Sequence, residues 1–530
     1  MNNFVIVKRT IFFVAILFTF QEFSIFAQTS GFTFAPIVKR GDPSPDGGRF
    51  FNCGDCEGRI NGAHAFNSLG EIGLAAETEG ACFDGLFLAS KDRSFLVADL
   101  CQPTAWGKFF LTGPININNQ SEAAFIAGPL VNGAIQGMIL RYSNGQVSKV
   151  VAEGDATGLG TTFRHCGFSD PSINDKGEIA FGACSNDGQA FFRDGIFVHA
   201  NGQLIPIAVN EDVTDILPGK FYFNFFPAVQ AYINNNSEVL FQGKIILDSL
   251  ERERYGWFLK THDGIKKIFI DADPLVDGLS VKDRTIGTSD LNDNGEVAFA
   301  VLLDGKADSG IFRRSGNQIS KIMTQGDATP IGGKFSTLDD PDLIERFLLL
   351  RPRINANSAV AFKAKVIDGS SGTAIFLASP NAMLKVVAVG DTVPTGETIR
   401  EIDTFALNDL GEVAFFAYGR KNHTQPLGVY KATPVQPVIK KVKLKNKNGR
   451  LELRVNGNGM ITNDSVIEIN GVRLEVMSYP ETAREAGGTT TQIISRDARL
   501  EQLLPVGQSV EVAVFNPLTN RRSEAKIITR

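Results

Sequence analysis

The sequence predicts an all-β protein: a seven-bladed β-propeller closed by an N-terminal strand, followed by an immunoglobulin-like β-sandwich. Three observations predict it. One turn-and-strand unit recurs seven times, the last copy lacks an element that stands alone at the other end of the chain, and the final ~95 residues switch to plain two-residue alternation. Composition agrees. The 530 residues are 43% hydrophobic and 21% charged, an ordinary globular balance, and 41 Phe against two Trp and seven Tyr point to a core filled repeatedly by one aromatic.

Residues 1–27 read as an export signal. Lys8 and Arg9 precede the apolar run Ile11 to Phe20, and Ala27 supplies a small residue at a cleavage point. The run is far short of the ~20 residues a spanning helix needs, and no later segment is apolar for long enough, so no transmembrane segment is expected. The mature chain is expected to be secreted, or held at the surface or in the periplasm of a bacterium. Residues 436–530 carry 15 Lys/Arg against 10 Asp/Glu, which leaves residues 31–435 clearly acidic. A main body without a basic stripe argues against nucleic acid as partner.

The repeat is seen in "FNSLGEIGL", "INNQSEAAF", "INDKGEIAF", "INNNSEVLF", "LNDNGEVAF", "INANSAVAF" and "LNDLGEVAF". Its Asn residues are Asn67, Asn118, Asn174, Asn234, Asn292, Asn355 and Asn408, spaced 51 to 63 residues apart. The acid-and-amide run ending in Gly suggests a calcium loop, but the two positions after Asn include Ala356, Leu69, Leu410 and Lys176, which cannot supply oxygen ligands. What all seven share is Asn, then Gly or Ser three residues on. That is the chemistry of an Asx-turn whose next residues need positive φ. The Val-Ala-Phe-x-Ala that follows is apolar on both faces, as a strand covered on both sides must be.

Two more elements recur after the turn. A Gly-led strand ("GIFVHA", "GIFRR") comes first, and a strand ending in an acid ("KVVAEGD", "KVVAVGD") comes next. With the irregular segment before each Asn, every unit reads as four antiparallel strands. Units of this size suit propeller blades, each covering its neighbour's apolar face. A parallel β-helix or open β-array is the alternative, though its rungs are usually shorter. The seventh unit stops after "GVYKA"; its acid-ended strand is supplied by "FAPIVKRGD", Phe34 to Asp42, which is expected to close the circle.

The Asn-x-x-Gly-x-x-Ala-Phe pattern over residues 31–435 resembles the NxxGxxAF tandem-repeat family of exported bacterial proteins, with Ser121, Ser237 and Ser358 departing from Gly and Leu240 from Ala. That resemblance implies a class of exported protein and no particular reaction. Residues 436–530 are similar to the IPT/TIG immunoglobulin-like module of bacterial surface proteins, with turns expected at Asn456-Gly457, Asn470-Gly471 and Asn516-Pro517. Lys441, Lys443, Lys445 and Lys447 fall at every second position, with Val442 and Leu444 between, the mark of a strand with a solvated, aggregation-resistant Lys face.

Candidate chemistry is sparse. Asp42, Asp99, Asp155, Asp212, Asp273, Asp327 and Asp391 recur in the blade connections and are expected either to cap local turns or to form an acidic rim attractive to cations. Arg40-Gly41-Asp42 spells an adhesion tripeptide, but Gly-Asp belongs to the repeat and its Arg is incidental. Disulfides are the default for an exported protein. Cys166 and Cys184 flank the Asn174 turn almost symmetrically, Cys82 and Cys101 flank a second turn, and Cys53 and Cys56 pair locally or compete for Cys82. Neither metal ligands nor a cofactor site is predicted. The five His residues show no ligand spacing, and no nucleophile elbow or sialidase box is present. The functional expectation is a non-catalytic, monomeric binding or surface-interaction protein with an extracellular or envelope ligand, protein or glycan. The alternative is an extracellular polysaccharide hydrolase or lyase. An enzyme should break repeat symmetry with polar residues converging at one channel mouth.

Overall fold

The computed structural model describes residues 31–51, 62–79, 84–99, 103–104, 107–111, 114–131, 134–188, 192–223, 229–247, 252–283, 287–305, 307–336, 351–369, 372–421 and 425–530, and almost all regular structure in them is strand. Among these residues, seven antiparallel sheets follow one another up to Pro434, and two more lie beyond. The third unit is representative: Thr162–Phe168 and Ser172–Ile173 both pair with Ile179–Asn186, which pairs with Gly195–Ala200 and then Gln203–Val209. The sheets have four to seven strands rather than a uniform four. One cause is visible here: Pro171, between the two short pieces, has no N–H for the ladder.

The strand after each Asn turn feeds two cores at once. Along Val297–Asp304, Ala298 and Ala300 enter a cluster with Phe362 and Phe376 of the next unit. Val297, Phe299 and Val301 enter another with Trp257 and Phe269 of the preceding one. Two-residue alternation thus welds each sheet to both neighbours. The abundant Phe residues pack against one another within units, tilted or edge-on, as in Phe163, Phe181 and Phe197, or Phe335, Phe362 and Phe376.

The ends of the array meet. Strand Phe32–Lys39 pairs antiparallel with Pro426–Pro434, from Phe32 opposite Pro434 to Lys39 opposite Gly428, and completes the sheet of Glu401–Leu407 and Val413–Tyr418. Phe34 is buried and meets Phe415 edge-on at 5.5 Å. Another cluster joins Val38, Phe416 and Val429 of the last sheet to Leu74 and Phe87 of the first.

Beyond Pro434, a three-stranded and a five-stranded sheet share one apolar core, with Leu453, Val455 and Ile493 from one and Ile467, Val512 and Val514 from the other. Asn456-Gly457 is not a turn. It lies inside the strand Arg450–Ile461, where a side chain on Gly457 would stand 2.0 Å from the Val438 carbonyl oxygen, so Gly serves close backbone approach. The turn is at Asn448-Gly449, both at positive φ. Ile461 and Leu518 of this module join a core of the sixth and seventh sheets, and Gly487 exchanges backbone hydrogen bonds with Lys385 and Pro330.

Candidate functional site

The seven repeat Asn residues are buried and bonded to one another in a closed ring. The carboxamide of Asn67 donates to the carbonyl of Asn118, Asn118 to Asn174, Asn174 to Asn234, Asn234 to Asn292, Asn292 to Asn355, and Asn355 to Asn408, at 2.9 to 3.2 Å. Asn408 then donates to the carbonyl of Asn67 at 3.2 Å. The second amide hydrogen of each goes to a Glu four residues on, as from Asn234 to Glu238, except at Asn355, where that position is Ala359. The Oδ1 of Asn234 accepts the N–H of Asn236 and of Glu238, closing the Asx-turn. Asp, with no donor, could make the turn but not the ring.

The position three residues after each Asn has positive φ in all seven units, Ser121, Ser237 and Ser358 included. Ser pays for that backbone with its hydroxyl. Ser121 donates to Glu71 and Ser237 to Glu178, each at 2.6 Å, and Ser358 donates to Glu296. We therefore expect Ser237→Gly to be nearly neutral and Ser237→Ala to cost about 1–2 kcal/mol in urea unfolding, because Ala keeps the strained backbone and loses the bond.

A second set of side chains lies beside the ring. The backbone N–H of Ser68, Asn119, Asp175 and Asn235 each donates to the side chain one position after Asn in the next unit, and Ala356 donates to Asp409. Asn235 also bridges the carboxylates of Asp175 and Asp293 at 2.9 and 2.8 Å. Members of both sets line a solvent-open cavity of about 160 Å³. Burial, and then the nearby carboxylates Asp293 and Asp175, push Asp409 above the ordinary Asp value.

The inner strands depart from seven-fold symmetry two and four residues before the ring. The fourth and second positions before Asn are Ala63 and Ala65 in the first unit, Pro114 and Asn116 in the second, and Thr404 and Ala406 in the seventh. In the four units between they are Asp170 and Ser172, Gln230 and Tyr232, Thr288 and Asp290, and Arg351 and Arg353. Arg351 reaches past one unit: it is ion-paired with Asp290, and its guanidinium lies 3.5 Å over the ring of Tyr232. Tyr232 stacks on Trp257 at 5.9 Å and donates to Gln230 at 2.8 Å. Asp290 also accepts the N–H of Ile354 at 3.0 Å. The protein packed around Asp170 raises it to about 6 although its side chain still reaches solvent, with Arg351 acting the other way. Arg353 is brought down to about 10 by burial and then by the charge of Arg351.

These groups set a pH profile. Burial opposes ionisation of Glu122 and Glu296, yet hydrogen bonds from Ser143, Arg141 and Asn118 to the first, and from Ser358, Asn292 and Ser315 to the second, hold both below the ordinary 4.5. Their contribution is present above 4.5 and lost as pH falls through the lower folded value. Asp170 and Asp464 are raised by burial from 3.8 to about 6, so their contribution is full below 3.8 and lost as pH rises through 6. Calorimetry should find Tm highest on the acid side of neutrality, near the Glu value of 4.5, and lower at pH 7. A Tm that climbs steadily to pH 7 contradicts this.

The repeated acids cap their own local turns. Oδ2 of Asp42, Asp155, Asp212, Asp273, Asp327 and Asp391 accepts the N–H three residues earlier, at 2.8 to 3.0 Å. Each is also ion-paired, with Lys39, Lys149, Arg193, Lys267, Lys321 and Lys385 respectively. Their charge is thus met locally rather than presented as a like-charged rim, and Asp42 of the Arg-Gly-Asp stretch is one such cap. The side chain of Asp99 lies outside the described residues, as do Cys53, Cys56, Cys82 and Cys101. Cys184 is disulfide-bonded and buried, and the strand bearing Cys166 runs antiparallel beside it. Among the described residues there is no cluster of three or more metal-ligating side chains, and no helix is long and apolar enough to cross a membrane.

The repeat Asn residues were legible, but the four-unit cluster was missed. "DDPDLIERFLLLRP" reads as a charged or apolar insertion, yet its Arg351 is central to the cluster. Aligning the seven units and scanning the positions before Asn finds it.

Residues 8–225, 219–346 and 339–475 match, one after another, a family described as a family of unknown function (DUF7453). The chain belongs to this family. No curated protein matches it. Solved structures similar to this member include the β-propeller domain of the Trilobed protease from Pyrococcus furiosus, at 6% identity and a TM-score of 0.40 over 71% of this chain and 98% of that one. The polysaccharide lyase Uly1 matches at 9% and 0.37, over 77% and 98%. The GH93 α-L-arabinofuranosidase of Fusarium graminearum matches at 7% and 0.27, over 60% and 92%. At this level of similarity these neighbours carry no information on what the DUF7453 chain binds or does.

Proposed function

We propose that the chain is an exported, monomeric, non-catalytic binding protein. The seven sheets are the blades of a closed propeller of the NxxGxxAF kind, Cys166 is the partner of Cys184, and the last two sheets are an immunoglobulin-like module of the IPT/TIG type. Its ligand is an envelope or extracellular glycan or protein. The observation that supports binding is the broken symmetry in units three to six. A ring with only a structural task gains nothing from polar side chains on four consecutive units, three of them charged, whereas a ligand can use them. A second reading, a hydrolase or lyase of extracellular polysaccharide, is favoured by one feature: Asp170 is raised to about 6 while Asp290 is ion-paired with Arg351, an acid and a carboxylate set apart by environment.

A glycan array probed with the secreted protein, beside product assays on the glycans it retains, tests both readings. Retention without turnover is the expected result. Turnover that is lost in Asp170→Asn transfers the assignment to the second reading, and neither retention nor turnover removes both.

A further inference from the structure

The binding reading can be taken to a ligand class, on which the following rests. We infer that the cluster on units three to six is a subsite for an acidic saccharide, whose carboxylate is held by Arg351 and Arg353 and whose hydroxyls donate to Asp170. Arg351 and Arg353 stand on either side of Pro352, where the chain enters the short strand Arg353–Ile354. They are near enough that the charge of Arg351 disfavours that of Arg353. An anion between them relieves that repulsion, and guanidinium forks match carboxylate geometry.

Two buried polar atoms at the same place have no partner: Nε of Arg351 and the hydroxyl of Thr288, which precedes Asp290 by two on its strand. Unsatisfied buried donors are costly, and a bound oxyanion is what they lack. Arg351 is preorganised, since Asp290 fixes one side of the guanidinium and the Tyr232 ring, backed by Trp257, supports its face. Asp170, the exposed member, is an acceptor suited to sugar hydroxyls. Carboxylate and hydroxyls on one small ring are the chemistry of a uronic acid.

Trp257, one of two tryptophans in the chain, sits beneath this cluster and reports on it. The full mature chain is titrated with glucuronate, inorganic phosphate and glucose while tryptophan fluorescence is followed. The expected result is a saturable change with glucuronate, none with glucose, and at least tenfold weaker binding in Arg353→Gln, whose Tm shows that it is folded. Phosphate binding as tightly as glucuronate overturns the saccharide class, and an unaltered glucuronate response in Arg353→Gln overturns the subsite. A neutral glycan retained equally by wild type and Arg353→Gln overturns the subsite but leaves the binding function standing. No response here together with an empty glycan array removes both.

Discussion

Asn234→Asp, a change of one amide to a carboxylate of the same shape, should destabilise the protein by about 3 kcal/mol or more in urea unfolding. The wild-type carboxamide, itself buried, donates to the half-buried Glu238 at 2.8 Å and to the buried carbonyl of Asn292 at 3.0 Å. Asp supplies neither donor. It also sets a second carboxylate against Glu238 and a bare oxygen against a carbonyl, so one half-buried charge loses its partner and a buried one is added with none. Asn234→Ala should cost less, because it leaves unpaired groups without adding a charge. Asn355→Asp should also cost less than Asn234→Asp, since Ala359 stands where the other units have Glu. A loss below about 1 kcal/mol for Asn234→Asp would reduce the ring to seven independent Asx-turns.

The second large effect is expected at the N-terminal strand. Phe34→Ala should cost about 3–5 kcal/mol, the range for a fully buried Phe, and should match the effect of Phe415→Ala. Phe34 is 1% exposed, packs edge-on against Phe415 and shares a cluster with Leu377, Val413 and Tyr430. Its strand lies nearly 400 residues from its partner in sequence, so the closing strand must dock before the last sheet is complete. Equilibrium unfolding followed by fluorescence and by far-UV circular dichroism checks it. A cost under about 1 kcal/mol would make Phe32–Lys39 an appendage rather than part of the core.

Much of this architecture was legible because repetition turns weak local signals into strong ones. One Asn-x-x-Gly is a turn among many, but seven at one spacing, with the missing strand displaced to the far end, define both unit and closure. The role of each Asn beyond its own turn was not legible, because the carbonyl it reaches lies 51 to 63 residues away in the next unit. Local patterns say nothing about which backbones a ring will bring together. The Ser hydroxyls at Gly positions show the same limit: each looks like a tolerated departure, and its compensation is a Glu of the preceding unit. Asn456-Gly457 misled for a different reason. Gly serves tight turns and close backbone approach equally well, and only the paired strand tells them apart. The polar cluster stayed hidden because attention to what repeats discards what does not.

Closure itself can be measured with Thr33→Cys and Thr433→Cys in one chain. The two residues are opposite each other in the strand pair, and the Thr33 hydroxyl donates to the Thr433 carbonyl at 3.5 Å. Mild oxidation of the double variant should give one intramolecular crosslink, seen as a faster non-reduced band and a joined peptide by mass spectrometry, absent from both single variants. No crosslink, or one that forms only between molecules, would place the two ends of the array apart and contradict a closed ring.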